Sequence, residues 1–184
     1  GTIQCGPAAS TEVDNPAAPA VAVTPVPVNS TTPTSTYAAG GVLCFVPADD
    51  AYVDASRPAA NFGNVQKVRV DASPDMRTYL RFPVRGLGQP PLRATLYLWA
   101  GSASTHGWQA RAVSHPVSGA VWNEDSIIYA NAPLVGSTAG SSGPIQAETW
   151  THADVTGLVL GNGVFDIAIV GQDAKAIALS SREG

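Results

Sequence analysis

The sequence is poor in charge, in cysteine and in basic clusters. Charged residues make up 13% of the 184 positions, about half the ~25% of an average soluble domain, which leaves little to solvate long exposed helices. Ten lysines and arginines against fourteen aspartates and glutamates give a net charge of −4 at pH 7, and the basic residues never cluster. Nucleic acid is therefore excluded as a partner, because binding its backbone leans on a basic footprint. No run approaches the ~18 consecutive apolar residues of a transmembrane helix. Two cysteines, Cys5 and Cys44, are too few for an all-thiolate zinc site and are not spaced as CxxC. Catalytic signatures are missing as well. His106, His115 and His152 are scattered without an HExxH spacing, and no GxSxG elbow, Walker loop or GxGxxG is present. Glu124 and Asp125 are adjacent carboxylates that could in principle do acid/base work, but Glu124 sits in a turn motif. The chain is not expected to be an enzyme.

What is plentiful is glycine and proline, 18 and 15 residues. The first 44 residues hold six prolines, no lysine or arginine, and only two acids, Glu12 and Asp14. Such a segment forms no helix and has too little large apolar surface for a core of its own. Residues 1–44 are read as an extended tail rich in Pro, Ser and Thr, serving as stalk, linker or donor segment. Within it, residues 20–24 (AVAVT) alternate without proline, and Val21 and Val23 would share one face of a short strand. Pro25 and Pro27 confine any continuation to an edge or a polyproline path. Cys5 and Cys44 flank the tail, so a Cys5–Cys44 disulfide is expected, which would place the protein outside the cytosol.

From residue 45 the pattern changes to short alternating segments separated by turn clusters. Residues 67–71 put Val68 and Val70 on one face, with Lys67 and Arg69 on the other. Residues 77–84 oppose Leu80, Phe82 and Val84 to Arg77, Tyr79 and Arg81. Residues 92–100 oppose Leu92, Ala94, Leu96 and Leu98 to Thr95, Tyr97 and Trp99. Residues 109–113, 127–129, 164–170 and 176–180 complete the predicted strands. Turns are read at 73–75, 86–91, 101–107, 136–144 and 161–163, the last as a hairpin turn, with one helical turn allowed at 154–160. Residues 45–184 are thus an all-β sandwich domain.

Read together, these residues resemble the DNRLRE-type domains. The resemblance is carried by Asp49-Asp50-Ala51-Tyr52-Val53, Asn61-Phe62-Gly63, Val68-Arg69-Val70-Asp71 and Arg77-Thr78-Tyr79-Leu80-Arg81-Phe82. It continues in order through Trp122-Asn123-Glu124, Asn131-Ala132-Pro133, Thr149-Trp150, Asp154-Val155-Thr156 and Ser181-Arg182-Glu183. The resemblance spans about residues 48–184 and implies a jelly-roll-like β-sandwich of the extracellular space or cell surface. Some such domains are classed as carbohydrate-binding modules for acidic polysaccharide such as alginate. In these domains a further strand usually follows the closing Arg-Glu, which implies a sandwich one strand short.

Two candidate sites follow. Asp49, Asp50, Asp54, Asn61, Asn64, Asp71 and Asp75 supply hard oxygen ligands in one region, and Asp50, Asn61 and Asp71 are the best candidates for a structural Ca²⁺; ordinary Asx turns account for the same residues without metal. If their strands share a sheet, Arg77, Tyr79, Arg81, Tyr97 and Trp99 form an outward platform of rings and guanidiniums. It would serve glycan binding or burial against the tail or another subunit. Trp122 and Trp150 are assigned to the core.

On this reading the chain is a non-catalytic extracellular structural subunit that associates with other copies of itself, in a filament built by donation of the Val21/Val23 strand. The alternative is a carbohydrate-binding module for an acidic polysaccharide. Non-reducing peptide mapping should find Cys5 joined to Cys44. The closed loop of nearly forty residues contributes on the order of 3–4 kcal/mol in the chain-entropy model. Two alkylatable thiols in the native, non-reduced protein would count against the bridge.

Overall fold

The computed structural model describes residues 43–115 and 121–183. Nine strands run through them: β1 (Asp49–Asp54), β2 (Lys67–Ala72), β3 (Asp75–Val84), β4 (Thr95–Ala100), β5 (Trp108–Ser114), β6 (Leu134–Ser141), β7 (Thr149–Asp154), β8 (Gly163–Gly171) and β9 (Ile177–Ser180). A single 3-10 turn, Tyr129–Asn131, precedes β6. All pairings are antiparallel. The first sheet runs β6-β5-β8-β3-β1 and the second β2-β9-β4-β7.

β2 joins the two layers. It pairs with β3 only at Asp71–Met76 and Ala72–Asp75, then diverges to pair with β9 from Lys67 to Val70. The edge of β3 that β2 vacates is taken by β8, from Arg77 to Val84, while β1 pairs along the opposite edge, from Met76 to Arg81. The layers are thus one curled sheet folded on itself, the sandwich that the alternating pattern implied and jelly-roll-like as the resemblance implied.

Alternation decides what lies between the layers. Val68 and Val70, Leu80 and Phe82, Leu96 and Leu98, Ile167 and Ile169, Ile177 and Leu179 all face inward and are nearly or fully buried. Trp108 fills the centre. Its ring N–H, which burial would otherwise leave stranded, donates to Thr151 Oγ1 at 3.0 Å, and Thr151 in turn donates to the Leu98 carbonyl at 2.8 Å. One side chain of the first sheet is thereby tied to two strands of the second.

A second apolar cluster lies on the outer face of the first sheet. Ala51, Val53, Tyr79 and Ala168 face away from the main core and are covered by Trp122 and Ile127 from the segment between β5 and β6. Tyr79 is fully buried and its hydroxyl donates to the Pro133 carbonyl at 2.7 Å.

Several expected elements differ. The stretch expected as a strand at 127–129 forms only a bridge, Asn61 to Ile128, before the 3-10 turn. Residues 136–144, read as a turn from their glycines and serines, mostly belong to β6, an edge strand with register irregularities against β5. Small residues suit it there: at Gly140 a Cβ would overlap the Asp154 carbonyl of β7, where the two ends of the curled sheet meet. Gly161-Asn162-Gly163 is not a hairpin turn, because β7 and β8 lie in different sheets. Asn162 instead clamps another loop, donating to and accepting from the Leu87 backbone. Residues 155–158 form a turn without helix.

Gly63 sits beneath the covering segment, and a Cβ there would overlap the Glu124 carbonyl. Gly63→Ala should therefore lower unfolding free energy by about 2–3 kcal/mol in urea titration, through displacement of that segment. An unchanged midpoint would show that the segment adapts at no cost.

Candidate carbohydrate-binding face

The expected platform divides between the layers. Arg77, Tyr79 and Arg81 lie on β3 of the first sheet, whereas Tyr97 and Trp99 lie on β4 of the second. The five residues do not share a surface.

On β3 every one of the three is engaged by protein. Arg81 makes a two-pronged pair with Asp166 (Nε–Oδ1 2.8 Å, Nη2–Oδ2 2.9 Å), donates to the Trp122 carbonyl at 2.5 Å, and stacks on the Trp122 ring at 4.7 Å. His115 reaches the same Asp166 at 2.7 Å. Arg77 pairs with Asp75, donates to the Tyr129 hydroxyl at 3.0 Å and lies over that ring. Among the described residues this face is buried under residues 121–133 of the same chain. Burial alone would push the Asp75 carboxyl up; hydrogen bonds from Arg77 and Tyr129 outweigh it and hold the group below its ordinary range.

The oxygen-rich residues are also put to structural use. Asn61 donates to the Glu124 and Ile127 carbonyls (2.7 and 2.8 Å) and accepts from Gly63 N–H. Asp50, buried on β1, accepts from the Arg182 N–H at 2.6 Å, and its own N–H donates to Glu124 Oε2 at 3.1 Å. Arg182 pairs with the same Glu124. Burial pushes the Glu124 carboxyl up, against the opposing pull of the Asp50 N–H and Arg182. Asp71 lies elsewhere, capping the β2–β3 turn through Ser73 N–H at 3.0 Å. Asp50 and Asp71 register against Leu80 and Met76 of β3, about 13 Å apart along the strand at ~3.3 Å per residue. Asp50, Asn61 and Asp71 therefore do not converge as a Ca²⁺ ligand set. Among the described residues no group of three or more His, Cys, Asp and Glu is arranged to hold a metal. Cys5, Val21 and Val23 lie outside the described residues.

Ser104, His106 and Asp173 do come together, but not as a nucleophilic relay. Ser104 Oγ donates to Asp173 at 2.7 Å and accepts from the N–H groups of His106 and Gly107, while the His106 ring faces Asp173 rather than the serine. A relay requires the serine proton to face the imidazole. The cluster fastens a loop.

No described segment covers the outer face of the second sheet. In the β4–β7 register Tyr97 opposes His152 and Trp99 opposes Trp150. The ring centres are 5.7 and 5.6 Å apart, the tryptophans edge to face at 74°. Trp150 is thus a half-buried ring on the outer face, not the core residue expected; Trp122 is buried, in the outer cluster. Tyr97 is 39% exposed. Across β9, where the outward residues are the small Ala178 and Ser180, stand Arg69 and Lys67 of β2, in register with them. Among the described residues the charged heads of Lys67 and Arg69 have no hydrogen-bonded or ionic partner. Lys67, Trp99, Ala178, Ser180 and Glu148 line a shallow cavity of about 120 Å³. Lys67, Arg69, His152 and Glu148 were not singled out as site residues from sequence. The alternation that put Lys67 and Arg69 outward was visible, but not that β9 would bring β2 beside β4.

A two-layer antiparallel sandwich with one face sealed by its own chain and the other carrying partly exposed rings beside cations unpaired among the described residues has the make-up of a glycan-binding module. The comparison of sequences agrees: the chain belongs to carbohydrate-binding module family 96, whose model matches residues 43–184. That interval contains the whole stretch resembling DNRLRE-type domains. No curated protein matches the chain. Among the described residues no helix is long and apolar enough to cross a membrane.

The Asp75 shift has a consequence for acid stability. A carboxyl held low in the fold contributes stability that is complete above the ordinary aspartate pKa of ~3.9 and disappears as pH falls through the folded value. Asp75→Asn should lower the melting temperature at pH 7, and the melting curves of variant and wild type should converge towards pH 2. Glu124, shifted the other way, partly offsets the acid loss in both proteins. A constant gap between the two curves from pH 7 to pH 2 would contradict the assignment.

Proposed function

We propose that the domain is a non-catalytic module that binds an acidic polysaccharide across the outer face of β2-β9-β4-β7, outside the cell or at its surface. The observation that carries this reading is the contrast between the sheets. Arg77 and Arg81 on β3 are paired with carboxylates and covered, whereas Lys67 and Arg69 are unpaired among the described residues and face the same surface as Tyr97, Trp99 and Trp150. Rings stack on the apolar faces of sugars, and cations recognise the carboxylates that uronate sugars carry. Outward residues two apart on a strand repeat at about 6.8 Å, and β2 and β4 lie two strand spacings apart, roughly 10 Å. The aromatic and cationic rows therefore overlap where Lys67 faces Trp99 across Ser180, and Arg69 continues the cationic row beyond Trp99, level with Gly101 across Ala178. Support for carbohydrate as the ligand class comes from the family; support for an acidic polymer comes from the two cations, set in a chain of net charge −4.

Strand exchange between copies, the other expectation, draws no support from the described residues, and the family favours the polysaccharide reading.

Sodium alginate and carboxyl-reduced alginate, titrated by calorimetry, test this. Trp99→Ala and Trp150→Ala should each weaken alginate binding about tenfold, roughly 1.4 kcal/mol. The double replacement Lys67→Ala/Arg69→Ala should weaken it further and flatten its salt dependence. The reduced polymer should bind weakly to all forms. Binding unaltered by these replacements would move the site elsewhere, and absence of binding by the wild type to alginate and polygalacturonate alike would overturn the acidic-polymer reading.

A further inference from the structure

The cavity beside Trp99 has opposite charges on its two sides. Lys67 stands on β2, and Glu148 on the loop entering β7. Neither charged head has a hydrogen-bonded or ionic partner among the described residues, and the two are not paired with each other. An unpaired carboxylate is unexpected on a surface for acidic polymers, since it repels them.

The backbone holds Glu148 there. Its φ is 56°, in the left-handed region, where a residue with a side chain is uncommon. Three residues upstream, Ile145 is buried and exchanges both backbone hydrogen bonds with Ser104. One residue downstream, Thr149 enters the ladder against Ala100. The short connection 146–148 is thus anchored at both ends, and the strained residue at its close projects to the rim of the cavity. Strain retained by a well-anchored loop is a pointer to function rather than slack.

Resting on the reading that this face binds an acidic polysaccharide, we propose that Glu148 sets the orientation and substitution pattern of the sugar at Trp99, by accepting hydrogen bonds from a pair of neighbouring free hydroxyls. The chemistry of a uronate ring fits this division. Its carboxylate and its vicinal hydroxyls lie on opposite edges, so a ring stacked on Trp99 turns its carboxylate towards Lys67 and its diol towards Glu148. A carboxylate with two oxygens takes a diol through two charge-assisted bonds, whereas a second carboxylate there would be repelled. At about 120 Å³ the cavity is well below the ~300–1,000 Å³ that encloses a small-molecule ligand, so only the rim of one ring enters and the chain continues over the sheet on both sides. The ligand class is therefore a polyuronate whose hydroxyls are unsubstituted at the contacted residue, recognised within the chain rather than at its end.

The test compares sodium alginate with the same polymer heavily O-acetylated, for wild type, Glu148→Gln, Glu148→Gly and Trp99→Ala. Wild type should prefer the unacetylated polymer about tenfold or more. Both Glu148 variants should bind unacetylated alginate about tenfold more weakly and show little preference between the polymers, while Glu148→Gly, freed of the backbone strain, should melt no lower than wild type. Tighter binding by Glu148→Gln, or an unchanged preference in both variants, would overturn the proposal. Loss of binding in Trp99→Ala alongside either of those results would leave the binding face standing and remove only Glu148's role. Full binding by Trp99→Ala would remove the face and the proposal together.

Discussion

A guanidinium buried without a counter-charge is among the costliest things a fold can contain. Arg81, on the outward side of the longest strand, avoids that cost by a two-pronged pair with Asp166 of β8 and by the Trp122 ring laid over it. The covering segment depends on this arrangement: Trp122 supplies a carbonyl and a ring to Arg81, and Tyr79 and Pro133 close the other end. Glu124, in the same segment, binds the exit of β9 through Arg182 and the start of β1 through Asp50. With that segment in place the first sheet has no accessible outer face at its centre. Of the two outer faces, the one that no described segment covers is that of the second sheet.

Much of the fold was legible because alternation of apolar and polar residues is local. Residues 67–71, 77–84 and 92–100 announced β2, β3 and β4 with their inward faces correctly assigned, and residues 164–170 announced β8. What was hidden depended on partners. β6 is an edge strand of glycines, serines and threonines, and such composition reads as a turn until β5 is beside it. The platform failed for a related reason. The period of two states which way Tyr79 and Tyr97 point within their strands, but not whether those strands share a sheet. β2 pairs with β3 for two residues before crossing to the other layer, and the residues 73–75 at the turn carry no sign of that crossing. The oxygen-rich cluster likewise looked like a cation site because composition cannot tell a ligand from a loop fastener. Asn61, with both ends of its amide committed to backbone groups, is the latter.

The electrostatic arrangement separates the molecule's average charge from that of one face. The net charge is negative, yet the face of β2-β9-β4-β7 holds two cations whose heads stand free of any carboxylate among the described residues. Where a charge is neutralised by its own chain it stabilises or specifies the fold; where it is left unpaired next to exposed rings it is available to another molecule. The same criterion separates Arg77 and Arg81 from Lys67 and Arg69, although all four lie on outward sides of alternating strands.

β4 carries Leu96, Leu98 and Ala100 on one side and Tyr97 and Trp99 on the other, and no residue serves both. Mutation and selection can therefore act on the two sides separately. The outward positions of β2, β4 and β7 are free to drift in size and charge while the inward positions hold the sandwich together. Descendants of such a domain would be recognised by their buried residues and their covering segment, and would differ in the sugars they meet.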